Sequence, residues 1–403
     1  MTERTLREAA DRFGTPLYVY DLAELRRRAA ELWSVLPEAA SLLYSLKANP
    51  HPSVVAELRR AGCRAEVSSP GELAVALEAG HAAEEILYTG PGKSAAEIEE
   101  ALARGVTSFS CESAAELRRL GRATAATGTR AGALLRLQPP TGSKAGLSMG
   151  DGRQFGFTPE DAVRACAEVP SGVEVRGCHV YLGSQFPDVE ALRDGFATAR
   201  STMELVAREA GIPLGVVDLG GGFPWPYATP GAGAVLTGLR EELDKLLSTW
   251  ATGPAPQVYF ESGRRLVASA GHLLTRVLDV KERPEGTIVV LDAGINVLGG
   301  MSGLGRVLRP ATGFVNLSAG DDREPVTADV VGPLCTPLDR LAVRTTLPRP
   351  REGDLLCVPN VGAYGPTASL TRFLSRPPAV EAVYDGDQLV SASRPVVSYE
   401  AVE

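Results

Sequence analysis

Lys47 closes the apolar run Ser41-Leu42-Leu43-Tyr44-Ser45-Leu46, and the Asn49-Pro50 that follows stops any strand or helix. A primary amine at the end of a buried strand is costly unless it is paired or used. One use is a Schiff base with a carbonyl, because desolvation favours the neutral, nucleophilic amine. The plainer reading is a lysine that reaches water. Other stretches carry chemistry of their own. Gly220-Gly221-Gly222 is either a flexible turn or a row of bare backbone N–H groups offered to a phosphate. Glu261-Ser262-Gly263-Arg264 sets an acid three residues before a cation. His179 and Tyr181 lie two apart, so a strand would turn both to one side, where an aromatic ring either stacks on a ligand or packs in the core.

These residues need elements to bring them together. Residues 4–13 read as a short helix, 16–20 as a strand, and Asp21 as the cap of a helix reaching about residue 36. Strand patterns then recur at 41–47, 63–68, 85–89, 107–111, 131–138, 173–181, 214–219 and 256–261. Helical patterns fill the gaps at 52–61, 70–80, 94–103, 113–122, 158–168, 187–210 and 233–249. Eight strands alternating with helices make the count of a parallel (β/α)8 TIM barrel of about 250 residues. A doubly wound open sheet is the alternative, but no Gly-x-Gly-x-x-Gly follows the first strand. After about residue 272 helical periods become scarce. Strand-like runs at 273–280, 287–292, 326–331, 354–358 and 380–383 predict a C-terminal β-rich domain. The expected division is 25–272 for the barrel, with 1–24 and 273–403 forming the β-rich domain. The segment 139–153 is expected to be a long loop within the barrel, a candidate lid.

Composition narrows the function. At 403 residues, 44% hydrophobic and 22% charged, the chain reads as an ordinary soluble globular protein. The net charge of -8 argues against a nucleic-acid partner. No run of about 18 apolar residues predicts a membrane span, and the first residues are charged and amphipathic, unlike a signal core. Six scattered cysteines with no Cys-x-x-Cys suit free thiols in a reducing cytoplasm. The four histidines show no ligand spacing, so no metal site is expected.

In a barrel of this kind the chemistry sits at the C-terminal ends of the strands. Lys47, Ser68-Ser69, Glu112-Ser113, Arg136, the run His179 to Gln185, Gly220 to Phe223, and Glu261 to Arg264 all fall at such ends. A lysine, an acid and a glycine-rich anion site facing one another suit pyridoxal 5'-phosphate, with Glu261 at the pyridinium nitrogen.

Seven runs then occur in order between residues 44 and 365. They are Tyr44-Ser45-Leu46-Lys47-Ala48-Asn49-Pro50, Val67-Ser68-Ser69-Pro70-Gly71-Glu72-Leu73, Gly183-Ser184-Gln185, Leu219-Gly220-Gly221-Gly222-Phe223, Glu261-Ser262-Gly263-Arg264, Gly332-Pro333-Leu334-Cys335 and Gly362-Ala363-Tyr364-Gly365. In these the sequence resembles the fold-type III pyridoxal-phosphate decarboxylases, which include diaminopimelate, ornithine and arginine decarboxylases. The resemblance implies an alanine-racemase-like barrel and a β domain that also takes the N-terminal segment. It implies that Lys47 carries the cofactor, that Gly220, Gly221, Gly222, Arg264 and Tyr364 hold its phosphate, and that Glu261 pairs with the ring nitrogen. Ser69, His179, Tyr181, Ser184 and Gly263 are likewise expected at the cofactor. Cys335 matches the residue linked to protonating the carbanion after decarboxylation. Thr336 and Asp339 fall at substrate positions, and Cys335 and Asp339 match residues that reach across a homodimer interface, which places the active sites there.

Three departures bear on the substrate. Tyr181 stands where the family usually has a stacking histidine. Thr336 replaces the glutamate or aspartate that binds a distal amine in the diaminopimelate and ornithine enzymes. Gly299-Gly300-Met301-Ser302-Gly303 replaces an Arg-Pro-x-x-Tyr-like stretch. A site without its acidic anchor loses its preference for a distal ammonium. The expectation is therefore a divergent amino-acid decarboxylase acting on an amino acid or a conjugate, including one joined to a carrier protein, as in siderophore or antibiotic pathways. Arg153, Arg306 and Arg309 are candidates for binding an acidic substrate, against the alternative that each is a solvated surface charge. The alternatives are meso-diaminopimelate decarboxylation and a non-catalytic cofactor-binding regulator. A racemase on the same fold is disfavoured by Glu261.

Overall fold

The computed structural model describes residues 1–138, 154–251, 253–299, 311–320 and 322–401. The expected loop at 139–153, Arg153, Arg306, Arg309 and residues 300–303 lie outside them. The described chain divides into two compact units. One takes Arg26–Trp225 with Gly233–Leu266, the other Met1–Leu25 with Pro226–Ala232 and Val267–Glu403.

The first unit is a closed barrel of eight parallel strands. After β1 (Leu17–Asp21), which belongs to the other unit, these are β2 (Ser41–Ser45), β3 (Arg64–Val67), β4 (Ile86–Tyr88), β5 (Ser108–Cys111), β6 (Ala131–Leu137), β7 (Val173–Val180), β8 (Val216–Asp218) and β9 (Gln257–Ser262). The ring closes because β2 pairs in parallel with both β3 and β9. Leu43, Leu87, Leu134 and Tyr259 make one buried apolar cluster from four of these strands. The intervening helices start where the sequence signals them. Ser69, Ser94, Ser113, Thr158 and Asp188 each accept the amide three residues on and cap a helix.

The second unit adds to β1 the strands β10 (Gly271–Arg283), β11 (Gly286–Leu291), β12 (Val315–Asn316), β13 (Pro325–Val331), β14 (Arg340–Pro348), β15 (Leu355–Val358), β16 (Val380–Asp385) and β17 (Gln388–Ser393). They form a mostly antiparallel sheet in the order β14-β13-β11-β10-β1-β16-β17. The N-terminal segment joins this sheet, because β1 lies antiparallel to β10 and parallel to β16. The helix Glu3–Phe13 presses Leu6, Ala9 and Ala10 onto Leu17, Val19, Leu274 and Leu355. Strands β12, β14 and β17 were not expected from the sequence. β17 is exposed along nearly its whole length, so it lacks the apolar alternation that would reveal it.

The first barrel strand differs from the expectation of 41–47. It ends at Ser45, and Leu46–Ala48 form a single 3-10 turn. Among the described residues no helix is long and apolar enough to cross a membrane.

Candidate active site

Lys47 leaves the barrel on that 3-10 turn. Its Nζ donates to both carboxylate oxygens of Glu66, at 3.2 and 3.1 Å. Glu66 comes from the adjacent strand β3 and is 2% exposed, whereas the Lys47 side chain is 44% exposed. Of the two readings open for Lys47, a desolvated amine and one that reaches water, the structure shows the second, with the amine paired. Because the strand stops two residues early, the amine stands at the mouth and is held by a buried carboxylate. Burial alone would push the Glu66 carboxyl up. The Lys47 charge and hydrogen bonds from Ser45, Thr89 and Lys47 outweigh burial and hold it at about 2.

Opposite charge logic holds on the neighbouring strands. Glu261 is next to last in β9, Asp218 ends β8, and His179 lies on β7. Their ligand atoms all lie within 4.8 Å of one another. Burial, reinforced by Glu66 and Asp218, pushes the Glu261 carboxyl well up. Burial raises Asp218 to about 7. His179 is pushed well down, first by burial and then by Arg136. Both shifts disfavour the charged forms, so the 3.5 Å approach of His179 Nε2 to Glu261 Oε1 is weak as an ion pair. Ser110 Oγ lies 2.8 Å from the other ring nitrogen. Glu261 Oε1, Asp218 Oδ2 and His179 Nε2 are buried without a hydrogen-bond partner. Such orphans are costly unless a ligand meets them.

The glycine loop after β8 is packed tightly. Gly220 and Gly222 have φ of +67° and +114°, and a Cβ on Gly222 would lie 2.3 Å from the Phe186 ring. Asp218 Oδ1 accepts the Gly220 N–H at 2.8 Å, and Glu261 N donates to Gly220 O at 2.8 Å. A Cβ on Gly221 would meet Glu261 O at 2.5 Å. Tyr181 faces Lys47, with Nζ 6.0 Å from its ring centroid. Gly263 sits against Ala48, where a Cβ would be 2.8 Å away, and Arg264 opens the short helix behind it. Ser69 Oγ caps its own helix at 3.2 Å from Glu72 N, and Ser184 is half-buried beside Gly183.

Charged pairs brace the rest of the mouth. Arg136 and Glu112 meet at 2.6 Å. Lys93 and Glu116 are both buried and meet at 2.6 Å. Of these residues sequence reasoning missed Glu66, Asp218, Lys93 and Glu116. For Glu66 and Asp218 the signal is a charge inside or at the end of an otherwise apolar strand, as in Ala65-Glu66-Val67 and Val216-Val217-Asp218.

In the second unit Cys335 is an exposed free thiol. Thr336 Oγ1 accepts the Leu338 N–H at 3.3 Å. Asp339 is buried, and its oxygens accept Ile295 N at 2.8 Å and Leu334 N at 2.7 Å, which fixes the loop carrying Cys335. Tyr364 has φ of +54°, and its carbonyl accepts from the Tyr227 hydroxyl at 2.9 Å.

The barrel mouth therefore offers an amine beside a carboxylate, a buried acid with an orphaned oxygen and a carboxyl pushed well up, an aromatic ring and a glycine loop. That donor set fits a phosphorylated aldehyde with a basic ring nitrogen. Residues 22–268 match the pyridoxal-dependent decarboxylase, pyridoxal binding domain. The chain is 33% identical over 393 residues to a diaminopimelate decarboxylase of Neisseria meningitidis, covering 94% of this chain and 92% of the relative. It is 31% identical over 379 residues to the L-glutamyl-(BtrI acyl-carrier protein) decarboxylase of Niallia circulans, covering 92% and 89%. The crystal structure of diaminopimelate decarboxylase from Helicobacter pylori complexed with L-lysine is similar at a TM-score of 0.81 and 26% identity, covering 96% of this chain and 95% of that one.

Proposed function

The chain belongs to the pyridoxal-dependent decarboxylases, and from that membership we propose a member that acts in the cytoplasm on an amino acid or amino-acid conjugate without a free distal ammonium. It is a pyridoxal-phosphate-dependent carboxy-lyase. When bound, pyridoxal phosphate supplies a carbonyl that condenses with amines and a ring that accepts the electrons left as carbon dioxide departs.

The chain's residues do the rest. Lys47 provides the tethering amine, and Glu66 beside it holds its charge. Glu261, whose carboxyl burial pushes well up, gains a counter-charge when a ring nitrogen arrives, and it keeps a proton at that nitrogen. Gly220, Gly221, Gly222, Arg264 and Tyr364 hold the phosphate. His179 and Tyr181 border the ring face, with Ser69, Ser184 and Gly263 shaping its surround. Cys335 delivers a proton to the α-carbon, from a loop that Asp339 fixes. Two chains form a homodimer, and Cys335 serves the partner's site.

The observation that carries the reading is the Lys47–Glu66 pair in the same barrel mouth as the orphaned Glu261 oxygen. Thr336 supports the substrate class, since it offers a hydroxyl and no charge. The relative that acts on a glutamyl carrier protein shows a conjugated substrate within the same family. A second reading, meso-diaminopimelate, is favoured by the relatives named for it.

Carbon dioxide release separates them. The panel is meso-diaminopimelate, ornithine, lysine, arginine, citryl-diamino acids and a glutamyl carrier protein. Silence on the free diamino acids with turnover of a conjugate supports the first reading. Fast turnover of diaminopimelate establishes the second. Lys47→Ala should lose turnover together with the visible absorbance of lysine-bound cofactor. Retained turnover without that absorbance overturns the role of Lys47.

A further inference from the structure

The segment from Gly220 to Trp225 has no regular secondary structure, so its shape must come from what grips it. The β7 side grips it twice. Phe186 N donates to Gly222 O at 3.1 Å. The Gln185 amide accepts Trp225 N–H at 2.8 Å and donates to Trp225 O at 2.7 Å. Asp218 and Glu261 hold Gly220 at its start, and a further grip is Arg265, which is 1% exposed and among the largest fully buried side chains. Its Nη1 donates to Pro224 O at 3.1 Å and to Ala234 O at 3.0 Å, and its Nη2 donates to Glu31 at 2.7 Å. Its guanidinium lies 5.4 Å from the Trp225 ring centroid, and that of Arg28 lies 4.1 Å from it. Glu31 also pairs with Arg28 at 2.6 Å. One carboxylate thus holds two guanidinium groups on one indole.

Burying a guanidinium is costly, and an apolar side chain of the same volume would fill the space without that cost. What an apolar side chain cannot do is reach three acceptors in one plane. Arg265 also follows Arg264 directly, so the hub that grips Pro224 sets the base of the turn presenting Arg264.

We propose that Arg265 is a positioning residue for cofactor phosphate: it locks the Gly220–Trp225 loop and the Arg264 turn into one preformed cradle. This rests on reading Gly220, Gly221, Gly222 and Arg264 as the phosphate site. A preformed cradle favours the phosphate-bearing ligand, because less ordering remains to be done on binding.

The test is equilibrium binding of pyridoxal phosphate and of pyridoxal, which lacks the phosphate, to cofactor-free protein, read by absorbance. Arg265→Met should weaken pyridoxal phosphate about tenfold or more while pyridoxal changes less than about twofold. Arg265→Lys should fall between Arg265→Met and wild type, because it keeps the charge and loses the fork. Arg28→Met, which leaves the Pro224 and Ala234 contacts in place, should move the ratio of the two affinities less than about threefold. Arg264→Gln separates the inference from its premise. If Arg264→Gln leaves the ratio unchanged, the phosphate site is misassigned. If Arg264→Gln lowers the ratio but Arg265→Met weakens both ligands equally, or neither, the cradle stands and the role of Arg265 is overturned. Should Arg265→Met fail to fold, Arg265→Lys carries the test: it should weaken pyridoxal phosphate more than pyridoxal, and an equal effect on both overturns the role of Arg265.

Discussion

Glu66 and Glu261 are both buried carboxylic acids at one barrel mouth, yet their proton affinities are shifted in opposite directions. Burial raises each. At Glu66 the Lys47 ammonium and three hydrogen bonds win and bring it from 4.5 to about 2. At Glu261 the nearby Glu66 and Asp218 outweigh Lys47 and Arg136. The consequences for stability run in opposite directions. Glu66 binds its proton less readily when folded, so its contribution is full above about pH 4.5 and is lost as pH falls toward 2. Asp218, raised from 3.8 to about 7, binds its proton more readily when folded. Its contribution is full below about pH 4 and is lost as pH climbs through 7. Asp218→Asn keeps an acceptor for Gly220 N–H and removes that loss. In cofactor-free protein it should raise the melting temperature at pH 8 by on the order of 2–4 °C and leave it nearly unchanged at pH 4. Thermal melts at the two pH values check this, and an equal shift at both would count against the assignment. The sequence made Lys47, Glu261 and the glycines legible because their types are unusual at strand ends. Glu66 and Asp218 stayed hidden because a single charge in a short apolar run reads equally well as a solvent-facing residue.

At the scale of elements, the helix starts were legible because serine, threonine and aspartate caps are local signals. The close approaches between strands were not, because they depend on partners far apart in the chain. Gly177, in the middle of β7, has φ of +156°, and a Cβ there would lie 1.8 Å from Val216 O. The β6–β7 register shifts beside it. Gly177→Ala should therefore force β7 off β8 and cost about 3 kcal/mol or more, measured by denaturant unfolding. The Lys93–Glu116 pair braces the loop after β4 against the helix Ala114–Thr127. Lys93 also donates to Gly90 O, and Glu116 accepts Glu112 N–H at 2.9 Å. Lys93→Met leaves a buried carboxylate uncompensated and should cost about 3–5 kcal/mol. The double variant Lys93→Met/Glu116→Gln should recover a good part of that loss, since the remaining side chains are neutral. A double variant no more stable than the single one would show that the brace acts through packing alone.

For the whole molecule, the alternation of eight strands with helices announced the barrel, and the loss of helical period announced the sheet that follows it. The sheet's edges were less legible: β17 is exposed and β12 is two residues long, so neither carries a periodic signal. Which chain completes which site is a property of the assembly, and it is testable without a structure of that assembly. Lys47 belongs to the barrel unit and Cys335 to the sheet unit. If Cys335 serves the partner's site, chains carrying Lys47→Ala and chains carrying Cys335→Ala are defective at different halves of each composite site. In an equal mixture after subunit exchange, half of the dimers are mixed. Each mixed dimer contains one site with both native residues and one with neither. The mixture should therefore regain about a quarter of wild-type carbon dioxide release, although each variant alone is impaired. If each chain completes its own site, every site in the mixture lacks one residue or the other. Activity then stays at the average of the two variants, and the shared-site arrangement is excluded.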